Sequence, residues 1–196
     1  LNLNLIAPEI TVVATALLVV LLDLVVRRKA VLAAVGIAGL LVAIGFTIYI
    51  WTLPVAAAGI AIFGRALVID AFALFFKVLL LGVAVLIILM SQDYVSKLER
   101  FRGEYYALLL VATTGLMLMA AAADMIVIYV SLELASITLY ALTGFLKDKR
   151  SSEAALKYLL VGSIASATFL YGMALVFSVT GSTHLYDILA AIYTAL

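Results

Sequence analysis

The chain has 196 residues, 68% hydrophobic and only 12% charged, with a mean hydropathy of +1.33, whereas a soluble domain is usually about 45–50% apolar and 25% charged. Its net charge of +1, from 12 Lys and Arg against 11 Asp and Glu, leaves no basic or acidic surplus to recruit nucleic acid. With no cysteine and one histidine, the chain itself offers no disulfide, thiolate metal site, iron–sulfur cluster or bis-histidine haem, so any redox chemistry falls to another subunit.

The apolar residues come in runs of about 20, enough to cross a hydrocarbon core of about 30 Å as helix, and lack the ten-residue alternation of an outer-membrane barrel. The expected fold is therefore all-α, a polytopic transmembrane bundle of about six helices with spans at about 5–26, 30–53, 66–90, 105–122, 125–146 and 154–180. The first run is read as a retained helix and not a cleaved signal peptide, because the basic cluster Arg27-Arg28-Lys29 follows it and none precedes it. Pro54, Gly59 and Gly64 punctuate the second connection, and the third, from Ser91 to Glu104, is charged and aromatic.

Loop charge sets an expected orientation. The first loop carries Arg27, Arg28 and Lys29, the third Lys97, Arg100 and Arg102, and the fifth Lys147, Lys149 and Arg150, against Arg65 alone on the other side. Lys and Arg accumulate on the cytoplasmic side, so the odd-numbered loops are expected there and both ends of the chain opposite.

Three ionisable residues fall inside the spans, where each costs roughly 2.5–3.5 kcal/mol to insert near the centre of a helix. Glu133 lies about 12 Å along the fifth helix from Met125, too deep for its short stem to reach water. It must be neutral or partnered. Tyr129, Glu133, Ser136, Tyr140 and Thr143 recur at steps of three and four, which makes one hydroxyl-lined stripe able to hydrate or pass protons. The plainer alternative is a neutral carboxyl hydrogen-bonded to a neighbouring helix. Lys157 follows Glu153 in the favourable i, i+4 order and reads equally as an interfacial salt bridge. Lys77, about 16 Å into the third span counted from Ala66, is too deep to snorkel, with Asp70 two turns earlier on its face or carbonyls of another helix as candidate partners. Gly162 with Ser166, and Ser163 with Ala167, are small-residue pairs for close helix approach, read first as tight packing, and faces such as Gly162 and Ser166 are also expected to bind other membrane helices side-on. His184, after Gly181-Ser182-Thr183, reads as a solvated loop residue without a role.

The segments GEYYALLL, SLELASITLYALTGF, SSEAALKYLLVGS and FLYGMALVFSVTGS between Gly103 and Gly181 resemble the antiporter-like membrane subunit N, or chain 2, of respiratory complex I and its cyanobacterial and chloroplast relatives. DAFALFFKVLLL through SQDY is similar to that family's third helix and following loop, while residues 1–60 agree more in hydropathy than in motif. The resemblance implies helices one to three over residues 1–100, the start of a proton-channel repeat over 101–182, and a loop or short helix over 183–196 leading towards a seventh helix. It also implies a proton-translocating subunit of an NADH (or related donor):quinone oxidoreductase, in a bacterial inner membrane. Other membrane subunits and lipid would be its partners, flavin and iron–sulfur clusters would sit in partner subunits, and quinone would act elsewhere.

In that family the fifth-helix glutamate, here Glu133, modulates a seventh-helix lysine, and the sixth-helix lysine, here Lys157, is implicated in the path. Tyr129, Ser136, Tyr140, Thr143 and Lys77 complete the candidate proton pathway, with no catalytic, cofactor or metal residue. Family members run to more than twice this length in two inverted repeats. Ending at Leu196, the sequence is expected to be a fragment that moves no protons alone. A D-type subunit of a multisubunit sodium/proton antiporter and a structural membrane scaffold remain as alternatives.

Overall fold

The computed structural model describes residues 3–25, 29–97 and 102–195. Arg27, Arg28 and Arg100, which carry part of the loop-charge argument, lie outside the described residues, as do the side chains of Lys29 and Lys97.

Each long apolar run closes its backbone hydrogen bonds internally, the one way a single segment can cross hydrocarbon without orphaned amides. The elements are α1 (Ala7–Val25, entered through a short 3-10 turn), α2 (Lys29–Thr52), the one-turn α3 (Val55–Ala58), β1 (Ile60–Ile62), β2 (Leu67–Ile69), α4 (Ala71–Lys97), α5 (Arg102–Ala120), α6 (Met125–Thr143), α7 (Lys149–Thr180) and α8 (Leu185–Ala195). Six of these helices are long and apolar enough to span, as expected, and α8 is shorter.

Packing mixes chain neighbours with longer-range contacts. α1 lies between α2 and α5, α2 against α4, and α6 bridges α5 and α7. Val12, Ala16, Val19, Leu32, Leu40, Leu81, Ile88, Leu110 and Met117 form the main core at the α1, α2, α4 and α5 crossing. Small residues set the approach. A methyl at Gly115 would lie 2.9 Å from the Ser131 carbonyl on α6, so α5 and α6 touch nearly backbone to backbone. The α1–α5 contact is fixed at one end by Asp23, whose carboxylate accepts from the Gly103 amide at 3.1 Å, a negative charge at a helix N-terminus with a free donor to satisfy.

The third span starts later than its hydropathy suggests. Residues 66–70 lie outside helix: Leu67–Ile69 forms β2, antiparallel to β1, in the register Ile60↔Ile69 and Ile62↔Leu67. Leu67 and Ile69 point inward to a second apolar cluster with Leu5, Ile50 and Leu74, the period-two pattern of a half-buried strand. The hairpin turns through Phe63, Gly64 and Arg65, all at positive φ. Asp70 consequently serves as a cap, accepting from the Ala73 amide at 2.8 Å, and does not face Lys77 from within a helix.

This hairpin anchors a cap on one side of the bundle. Val68 donates to the Ala121 carbonyl (2.8 Å), Ala123 to Ala66 (2.9 Å), Leu185 to Ala123 (3.0 Å) and Met125 to Thr183 (2.9 Å). The second, fourth and sixth connections are thus hydrogen-bonded to one another, as alternate crossings require. Asp124 organises the centre, accepting from the Ile126 amide at 2.8 Å as the N-cap of α6 and from the Thr183 hydroxyl at 2.6 Å. Burial raises its carboxyl pKa, but the Thr183 and backbone hydrogen bonds and the nearby His184 together outweigh that and hold it below its ordinary value. His184 is therefore no free loop residue: its Nδ1 lies 3.1 Å from Asp124, with the side chain 30% exposed, because the backbone pairing of Asp124 with His184 draws it in. Arg65 at the hairpin tip pairs with Asp187 of α8 at 2.9 Å, an exposed bridge contributing little.

Candidate functional site

The polar stripe read along the fifth span is the face that α6 turns towards α7. Tyr129, Glu133, Ser136 and Tyr140 are half-buried along it, and Thr143 at its end is exposed, with its hydroxyl returned to the Leu139 carbonyl at 2.8 Å. Tyr129 stacks on Phe169 with ring centroids 6.2 Å apart, and Tyr140 meets Tyr158 edge-on at 4.7 Å. Glu133 accepts a hydrogen bond from the Ser166 hydroxyl of α7. Among the described residues it makes no ion pair.

The small-residue face of α7 is therefore used inside the chain. A methyl at Gly162 would run into the Tyr140 ring, and Ser166, one turn on, meets Glu133. The expectation that Gly162 and Ser166 seat a neighbouring subunit is corrected: two side chains of α6 already fill the room they leave. The remaining surface of α7 is open, since none of its residues is buried.

The two lysines stand apart from the stripe. Lys157 pairs with Glu153 at 2.6 Å, both side chains largely exposed, as i, i+4 spacing implies. It lies nine residues before Ser166, about 13 Å along α7. Lys77 is fully buried, about 9 Å into α4 counted from Ala71 rather than 16 Å from Ala66. Among the described residues, neither Asp70 nor a carbonyl holds it. Its Nζ lies 2.6 Å from Oε1 of Glu9 in the first turn of α1, in ion-pair contact though without hydrogen-bond alignment. Glu9 is the one charged residue buried with Lys77 that sequence reasoning missed. A carboxylate in the first turn of a helix is favoured by the helix dipole anyway, so its position gave no signal of a partner 68 residues on.

Near the other end of the stripe, Tyr158 and Thr143 open onto a cleft of about 510 Å³ that Tyr94, Tyr105 and Thr113 also line. The stripe thus runs from a half-buried carboxyl through Ser136 and Tyr140 to a cleft whose walls are mostly apolar, among them Ile87, Leu116 and Leu142, beside the fifth connection. No group of three or more His, Cys, Asp or Glu able to hold a metal occurs among the described residues. The chemistry available here is proton exchange on a carboxyl flanked by hydroxyls.

The fold and site define a multi-pass helical membrane protein with a carboxyl placed inside a helix–helix seam. A sequence model of the NADH:quinone oxidoreductase/Mrp antiporter transmembrane family matches residues 122–195, which contain that seam. The chain is 44% identical over 193 residues to NADH-quinone oxidoreductase subunit N of Dehalococcoides mccartyi, covering 98% of this chain and 39% of that protein. It is 42% identical over 195 residues to subunit N 2 of Symbiobacterium thermophilum, covering 95% and 38%. In fold it is similar to a chain of respiratory complex I from Thermus thermophilus, with a TM-score of 0.73 at 28% identity over 91% of this chain and 38% of that one. The chain belongs to this antiporter-like family and stands with its subunit N members. It spans about 39% of the length of the curated relatives it matches.

Proposed function

We propose that this chain supplies the first part of a proton path in a subunit N that serves a redox-driven NADH (or related donor):quinone oxidoreductase. The observation that carries the reading is Glu133, a carboxyl inside the α6–α7 seam with Ser166 bonded to it and hydroxyls on either side. Burial disfavours the carboxylate and a nearby cation favours it, so bringing a charge closer or moving it away loads and releases a proton. Tyr129, Ser136, Tyr140 and Thr143 form the hydrated row beside it, and the cleft at Tyr158 is its access. Lys157 serves at that access, paired with Glu153, and Lys77 belongs to a separate charge site. The chain holds no redox centre, and flavin and iron–sulfur clusters belong to partner subunits of the membrane-bound complex.

The test is to delete the full-length gene and restore it in membrane vesicles. Loss and recovery of donor-driven proton uptake is expected. Intact redox-driven uptake with lost sodium/proton exchange would instead identify the antiporter reading, and loss of assembly alone a scaffold.

We also assign the odd-numbered connections to the cytoplasmic side of a bacterial plasma membrane and the cap of residues 59–70, 121–124 and 181–185 to the opposite side, on nine basic loop residues against one. A cysteine at Lys149 is expected to resist an impermeant thiol reagent applied to intact cells and one at Gly64, in the exposed hairpin turn, to react. The opposite labelling inverts the assignment.

A further inference from the structure

We infer that Ser166 is the positioning residue that sets when Glu133 gives up its proton. The inference rests on the proton-path reading above and deepens it. Four other hydroxyls of α7 return to their own helix: Ser163 to Leu159, Thr168 to Ile164, Ser178 to Leu175 and Thr180 to Val176, at 2.7–2.9 Å. Ser166 sends its hydroxyl across the seam to Glu133 Oε1 instead. A helical serine that forgoes its own carbonyl has a stronger acceptor, and a carboxylate is one.

A hydroxyl is suited to this position because it donates and accepts. It donates to ionised Glu133 and, after rotating, accepts from the protonated acid, so the contact persists in both charge states. An amide or a charged partner would favour one state strongly. Geometry holds the pair in register: Gly162, one turn before Ser166, admits the Tyr140 ring that a methyl would displace, so α7 can seat against both Tyr140 and Glu133. Among the described residues, the other titratable side chains on the packed elements are Tyr129 and Tyr140 of α6, Lys149, Arg150, Tyr158 and Tyr171 of α7, and Tyr186, Asp187 and Tyr193 of α8, while α5 carries none after Tyr106. Asp124 caps one end of α6 and Glu153 with Lys157 lies at the start of α7, each more than a turn away along the seam.

The experiment measures the pH profile of donor-driven proton uptake by the assembled complex with the full-length subunit carrying Ser166→Ala, Ser166→Thr or Glu133→Gln, with assembly followed by native gel. Removing the hydroxyl takes from Glu133 its hydrogen-bond partner across the seam, so the pH profile of uptake by Ser166→Ala is expected to shift from that of the starting protein. Ser166→Thr keeps the hydroxyl and is expected to retain the original profile. Glu133→Gln separates the two readings. If Gln is tolerated, the proton-path reading fails and this inference fails with it. If Gln stops uptake while Ser166→Ala leaves the profile in place, or lowers uptake equally at every pH, the inference alone is overturned. Should Ser166→Ala not assemble, Ser166→Cys, a weak donor of similar size, is measured in its place against the same two outcomes.

Discussion

Replacing Glu133 by Gln in the full-length subunit is expected to lower proton uptake by about a hundredfold or more, the scale of losing a positioned proton-transfer group, while the complex still assembles. Gln preserves the length of the side chain and can still receive the Ser166 hydrogen bond on its carbonyl oxygen. What it lacks is a titration. The packing around it should persist, because the stacked pair Tyr129–Phe169 and the crossed pair Tyr140–Tyr158 flank Glu133 without depending on its charge. Glu133→Asp keeps the titration but draws the carboxyl back by one methylene, away from Ser166. Partial uptake is expected. A carboxyl that only joins α6 to α7 predicts the reverse order, with Gln nearly as good as Glu and Asp worse, since the contact then depends on reach and hydrogen bonding alone. Measuring both variants for assembly and for uptake in vesicles therefore separates a titrating Glu133 from a fixed one.

Most of the architecture was legible because hydropathy reports each span locally. The stripe from Tyr129 to Thr143 was legible for the same reason: 3.6-residue periodicity places those side chains on one face whatever lies opposite. What the periodicity could not report was the partner. Gly162 and Ser166 read as a docking face because small residues signal close approach without saying to which helix. The start of α4 was misplaced because Leu67-Val68-Ile69 continues the apolar run. Those residues become a strand by pairing antiparallel with Ile60–Ile62 across the Phe63–Arg65 turn, with Val68 also donating to the distant Ala121 carbonyl, pairings that override the local apolar pattern. His184 was misread on similar grounds, drawn to Asp124 by the pairing of two distant loops.

The buried pair Glu9–Lys77 gives the other large expected effect, and it decides whether Lys77 belongs to the proton path. Both side chains are shielded, at 6% and 0% exposure, and the second Glu9 oxygen has no partner among the described residues. An ion pair in such surroundings gains little over an apolar one, because desolvating two charges offsets their attraction, but removing one partner strands the other. Lys77→Met and Glu9→Leu are each expected to destabilise the α1–α4 contact by about 3–5 kcal/mol. The double variant Glu9→Leu/Lys77→Met is expected to recover most of the loss, within about 1 kcal/mol of the starting protein. Thermal unfolding of the purified complex in detergent supplies the cycle, and proton uptake on the same four proteins supplies the function. If the double variant is as unstable as the worse single one, the pair is a net stabilising contact and the argument from desolvation is wrong. If it recovers stability and uptake together, Lys77 fixes α4 against α1 and carries no proton. Recovered stability without uptake would place the Glu9–Lys77 pair in the path itself, as a second titratable site on the side of the bundle away from α7.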